Sequence, residues 1–492
     1  MKGINILRSL AGISWGSDPR ILNMLYKSLV RSHFDYSCLA YINANHSVLR
    51  KLDVIQNMAL RIISGAMRTT PINSMEVETC IEPLSLRRLQ LAEKFCSKIL
   101  ARKDPVVLQK FNLPPYLQRS LQNSSYMTAN DILNGNSPSM LKIISHVNDI
   151  SKNMYRCNLW PIFTCKYDSL LNKLRVDVSS VNSKEEFFEF IGQKNHSYKL
   201  YTDGSKSSNE VRSAIYDPQS NYCKCLKIGS DCSIFTAEAY AIFQALMYIK
   251  SVYIDNSFRD ILILSDSKSV LMCIENNNVH FKTNYIIYKI RDIIREIGQP
   301  IFFKWIPSHR GIPGNEIVDE VANSEPHEDH TTICEVPFTD LYTQMKENCR
   351  SLWKNYWMIS AQNKGRWYAG IQKELPVKPW YYKEFYISRR YITTINRLRF
   401  GHCRTPSHLH RMKIISSSAC EYCHEENADL NHLIMACPEF GIQRLVLAAE
   451  LSQIEKEESE RNCISRHIHD LLCNPKMYGP IFKYVLDSIG HI

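Results

Sequence analysis

The chain has 492 residues, 45% of them hydrophobic and 10% aromatic. At about 100–200 residues per domain this makes two to four globular domains with real cores, and it excludes a disordered or fibrous protein. The net charge of +11 points to a polyanionic partner and is uneven: residues 1–195 carry +10, 196–328 carry −2, 341–415 carry +12 and 416–492 carry −6.

No window approaches about 18 uninterrupted apolar residues, so no membrane contact is expected. The start, Met1 to Leu10, interleaves Lys2 and Arg8 with polar residues and does not read as a secretory signal. Seventeen cysteines, an odd number, are scattered from Cys38 to Cys473. A reducing intracellular compartment, nucleus or cytoplasm, is therefore expected.

Residues 1–100 read as helical. Asp18-Pro19 opens one helix with Leu22, Leu25, Leu29 and Val30 at helical spacing, and another runs through Leu49, Leu52, Ile55, Leu60 and Ile63. Residues 101–193, Asn- and Ser-rich from Gln122 to Asn136, read as a partly ordered connector. An α/β domain follows at 195–328. Tyr198 to Thr202 alternates as a strand and ends in Asp203-Gly204-Ser205. Val211 to Tyr216 and Tyr222 to Ile228 form a hairpin around the turn Asp217-Pro218-Gln219-Ser220. Ile234 to Lys250 is helical, with Glu238 at the border of its apolar stripe. The apolar strand Ile261 to Ser265 ends at Asp266 and passes into a helix, Ser267 to Glu275. A helix from Ile286 to Ile297, a strand from Ile301 to Trp305, a loop around His309 and a helix Asn315 to Ala322 bearing Asp319 complete it. The expected class is α/β, a mixed five-stranded sheet with flanking helices, plus helical N-terminal and C-terminal regions.

Ligands bind at the carboxyl ends of parallel strands, where Asp203 and Asp266 are expected to stand. Four carboxylates drawn to one place repel unless cations intervene, and hard oxygen donors favour Mg²⁺, with Mn²⁺ as a substitute. Two ions about 4 Å apart suit phosphodiester cleavage. The strings Tyr201-Thr202-Asp203-Gly204-Ser205, Thr236-Ala237-Glu238, Ser265-Asp266-Ser267 and Trp305 to Asp319 resemble the type 1 ribonuclease H domain, in the version encoded by insect-type non-LTR retrotransposons. The resemblance covers about 198–324. It implies a ribonuclease H-like fold, two Mg²⁺ ions on Asp203, Glu238, Asp266 and Asp319, and endonucleolytic cutting of the RNA strand of an RNA–DNA hybrid. It also gives His309 the task of assisting proton transfer or product release.

In the first hundred residues Ser14-Trp15-Gly16, Lys51 to Asn57, Thr70-Pro71 and Glu82 to Arg88 resemble the segment after the catalytic palm of a non-LTR reverse transcriptase. With no Asp-Asp pair in the chain, no polymerase activity is expected. The resemblance implies a truncated element with a reverse transcriptase as a partner. Residues 341–415 interleave bases such as Lys354, Arg366, Arg389, Arg390, Arg397 and Arg399 with Trp353, Trp357, Trp367, Tyr368, Trp380 and Tyr381, a combination suited to phosphates and stacked bases, although most of the aromatics fit a core. In the acidic tail, 416–492, Cys420, Cys423, His432 and Cys437 have the spacing of a CCHC zinc site, with His424 as a competing ligand. The competing functional readings are a non-catalytic nucleic-acid-binding remnant of a retroelement and an unrelated α/β nuclease that would cut duplex DNA.

Overall fold

The computed structural model describes residues 2–102, 126–156, 174–179, 184–208, 210–252, 260–276, 284–297, 299–324, 335–383, 387–457 and 467–490. These divide into two compact units. One takes in Met1–Ala92, Gln122–Ile143 and Asn348–Ile492; the other takes in Glu93–Leu121 and Ile144–Glu347.

The second unit is built on a six-stranded mixed sheet: β1 (Leu174–Asp177), β2 (Ser197–Lys206), β3 (Val211–Asp217), β4 (Tyr222–Ile228), β5 (Asp260–Ser265) and β6 (Ile301–Trp305), in the order β1-β6-β5-β2-β3-β4. β2, β5, β6 and β1 run parallel, while β3 and β4 add an antiparallel meander. The expected sheet had five strands. The sixth, β1, pairs Leu174 to Asp177 with Ile301 to Lys304 and comes from the stretch read as a connector. Four residues are too few for a period of two to stand out in a sequence.

Five helices matter for the site: α1 (Lys184–Gln193), α2 (Ile234–Val252), α3 (Lys268–Glu275), α4 (Tyr285–Ile297) and α5 (Pro313–Asn323). Phe187 of α1 and Val318 and Ala322 of α5 pack with Tyr201, Leu262, Leu264 and Ile306 in one apolar cluster. β5 is buried from Ile261 to Ser265, as a central strand covered on both faces must be.

In the first unit, a helix at His46–Ser64 ends on Gly65 in the left-handed region, φ +71°. The last carbonyls of a helix have no partner within it. Here they are met by side chains of a second helix, Arg389–Phe400: Arg389 donates to Ile62 and Ile63, Asn396 to Ser64 and Arg397 to Gly65. Guanidinium groups at this pole also complement the helix dipole. Arg399 is buried too, bonded bidentately to Glu78 and to the Tyr478 hydroxyl. Trp357, Tyr368 and Tyr381 are core. Part of the basic, aromatic stretch is therefore structural. Arg389, Arg397 and Arg399 are spent on carbonyls and a carboxylate, whereas Lys354, Arg366, Lys373 and Lys378 are exposed. Among the described residues no helix is long and apolar enough to cross a membrane.

Candidate metal centre

β2 pairs in parallel with β5 only as far as Thr202↔Ser265. Asp203, still on β2, and Asp266, the first residue after β5, come next in the chain, so both carboxylates emerge where the parallel ladder stops. The strand itself continues: Asp203 pairs with Ala214 and Gly204 with Ser213 in the antiparallel ladder, where a turn was expected.

Two glycines let helices reach this point. A Cβ on Gly204 would lie 2.6 Å from the Glu238 amide nitrogen, so α2 rests directly on the β2 backbone and delivers Glu238 beside Asp203. A Cβ on Gly314 would lie 2.3 Å from the Tyr201 ring, so α5 packs closely on a side chain of β2. Ligand oxygens of Asp203, Glu238 and Asp266 lie within 4.8 Å of one another.

Burial, together with the Asp266 and Asp319 charges, pushes the Asp203 carboxyl up to about 7. Burial and the Asp203 charge drive Glu238 well above the carboxylate range, and burial raises Asp266, against a hydrogen bond from Ser308. Glu238 Oε2 is buried with no hydrogen-bond partner. Crowded, desolvated carboxylates with an orphaned oxygen fit a hard divalent cation, which would supply the charge that the protein does not.

Asp319 sits on α5 and is not one of that tight trio. Its Oδ2 lies 3.2 Å from His309 Nδ1, and its Oδ1 accepts from Asn323 Nδ2 at 3.0 Å. Asn323 Oδ1 in turn accepts from Ser205 Oγ at 2.7 Å. His309 is exposed, with φ +51°, and its loop is pinned where the Gly311 amide donates to Glu316 at 2.9 Å. The Trp305 indole donates to the Asp266 carbonyl at 2.9 Å. Asn323 is not singled out in the sequence, and Trp305 stands there only as the end of a strand and the start of the string that resembles ribonuclease H. The only available sign for Asn323 was its i+4 spacing from Asp319 on one helix face.

A second cluster belongs to the other unit. Ligand atoms of Cys420, Cys423, His432 and Cys437 lie within 4.8 Å of one another, with Cys420 and Cys437 buried in an apolar cluster that includes Leu433, Ile434 and Tyr484. His424 is exposed and outside this set. Cys423 Sγ is 3.4 Å from His432 Nε2. Although burial works the other way, the amides of Cys423 and Tyr422 hold the Cys420 thiol below its usual range. Three sulfurs and one imidazole form a donor set that fits Zn²⁺.

No curated protein matches the chain. Among solved structures, the crystal structure of RNase H1 from the halophilic archaeon Halobacterium salinarum NRC-1 is 21% identical, the match covering 25% of this chain and 93% of that one with a TM-score of 0.20. The stretch that holds all five candidate site residues of the second unit, residues 195–326, matches the RNase H family model and makes this part of the chain an RNase H domain.

Proposed function

We propose that the chain is a divalent-cation-dependent endonuclease that cuts the RNA strand of RNA–DNA hybrids. The carrying observation is the convergence of Asp203, Glu238 and Asp266 within 4.8 Å at the end of the parallel β2–β5 ladder. Mg²⁺ ions bound there, two in the full site, would supply a Lewis acid for the attacking water and the leaving oxygen. Asp203, Glu238 and Asp266 hold the charge, and Asp319 borders them. His309, tethered through Nδ1 to Asp319 and otherwise open to solvent, is placed to carry a proton between the site and bulk water. The experiment is hybrid cleavage in Mg²⁺ by the full chain and by Asp203→Asn. Loss of cleavage with hybrid affinity in Ca²⁺ retained supports the assignment, and unchanged cleavage refutes it.

Descent from a non-LTR retrotransposon, with a reverse transcriptase as working partner, rests on the sequence strings quoted above. Zinc on Cys420, Cys423, His432 and Cys437 rests on their convergence. Metal analysis of the full chain should find zinc that is lost in Cys423→Ser, and a zinc-free wild-type protein would end that part of the reading.

A further inference from the structure

The helix that delivers Glu238 has an incomplete start. Ser233 caps α2, its hydroxyl accepting from the Thr236 amide at 3.2 Å. In a complete capping box the third helical residue is Glu or Gln, whose side chain reaches back to the amide of the cap. That position is Thr236, which is too short to do so. The missing carboxylate comes instead from Asp340. Its Oδ2 accepts from the Ser233 amide at 2.7 Å and from the Thr236 hydroxyl at 2.6 Å. Thr236 Oγ1 also accepts from Asn284 Nδ2 at 2.7 Å, at the start of α4. Thr236 is fully buried, and Asn284 and Asp340 are nearly so.

Asp340 lies beyond residue 326, outside the family match. Its segment is fixed by backbone bonds: the Tyr155 amide donates to the Val336 carbonyl at 2.9 Å, the Val336 amide to Asn153 at 2.8 Å and the Asp340 amide to Pro337 at 2.9 Å. We propose that Asp340 is a positioning residue for the candidate metal centre, completing the cap of α2 from outside the matched stretch and so setting where Glu238 stands against Asp203 and Asp266. A negative group at the N-terminus of α2 is favourable by itself. Because Glu238 lies two residues after Thr236, with its amide pressed on Gly204, a shift of the first turn moves the Glu238 carboxylate directly. No contact between Asp340 and substrate is required.

The inference rests on the nuclease reading but is tested independently of it. In the full chain, Asp340→Ala should raise hydrogen–deuterium exchange of the amides around 233–240 and weaken Mg²⁺ binding measured by calorimetry. The apparent kcat for hybrid cleavage should fall by about tenfold, with KM for the hybrid changed less than about twofold, as expected for a residue that only supports ligands. Asp340→Asn, which keeps an oxygen acceptor in place, should restore most of the wild-type behaviour. Thr236→Val removes the bond from the other side, should shift all three readouts the same way, and replaces Asp340→Ala if that variant does not fold. Unaltered exchange at 233–240 overturns the proposal, as does altered exchange with Mg²⁺ binding and kcat at wild-type values. A wild-type protein that cuts no hybrid, paired with an Asp340→Ala variant that binds Mg²⁺ more weakly, would sink the substrate reading and leave the role of Asp340 standing.

Discussion

Asp203 and Glu238 are carboxylates that the protein holds where a carboxylate is least comfortable, buried and beside each other. With its folded value pushed up to about 7, Asp203 retains a proton over much of the range in which an exposed aspartate has lost it. A cation must displace that proton, so the Mg²⁺ concentration giving half-maximal binding should fall as pH rises from about 6 to about 8, by up to about tenfold per unit for each proton released. Calorimetry at several pH values checks this, and an affinity flat with pH would contradict it. The sign for stability is the opposite of that for a salt-bridged aspartate. The raised value means that the cation-free protein is best off below the unfolded value near 4 and loses that contribution as pH climbs through about 7. Asp203→Asn should therefore stabilise the cation-free chain at about pH 8, on the order of 1–3 kcal/mol, and much less at about pH 5, as read from thermal unfolding with chelator.

At the scale of elements, the site depends on how closely α2 and α5 approach β2, and two glycines set that distance. Gly204→Ala would place a methyl group against the Glu238 backbone, where nothing flexible can yield. Overpacking of this kind costs about 1–3 kcal/mol. Cleavage should fall by at least about tenfold along with a lower unfolding temperature, and wild-type activity and stability in Gly204→Ala would show that the close approach is not needed. The elements around this site were largely legible in the sequence. Ile261 to Ser265 is apolar enough to declare a central strand, Ile234 to Lys250 has a clear stripe, and Asp266 follows directly on the end of its strand. What was not legible depended on pairing across the chain. Asp203 read as a turn residue because Asp-Gly-Ser is turn chemistry, yet the meander with β3 carries the strand through to Lys206. β1 is too short to announce itself, and the link from Asp340 to Ser233 joins residues separated by 107 positions with no periodic sign between them.

For the molecule as a whole, the charge of +11 divides between surface and interior. Arg389 and Arg397 close the end of the helix His46–Ser64, and Arg399 pairs with Glu78. Composition counted these as bases available to phosphate, because a sum over residues does not register burial. Arg389→Ala should destabilise the chain by about 2–4 kcal/mol, since it leaves carbonyls unpaired, without altering the salt dependence of hybrid binding. Thermal unfolding and binding at several salt concentrations read the two effects separately. Replacing exposed Lys354, Lys373 and Lys378 together by Ala should do the reverse, reducing the slope of log affinity against log salt by up to about one for each phosphate no longer neutralised. Identical salt slopes in the wild type and in the triple variant would mean that these lysines serve solubility alone. The central claim is tested most directly by one assay of the full chain in Mg²⁺ on RNA–DNA hybrid, duplex DNA and duplex RNA, run beside Asp203→Asn. Cutting of the RNA strand of the hybrid alone, abolished in the variant, is the predicted result; cutting of duplex DNA, or hybrid cleavage that survives Asp203→Asn, would contradict it.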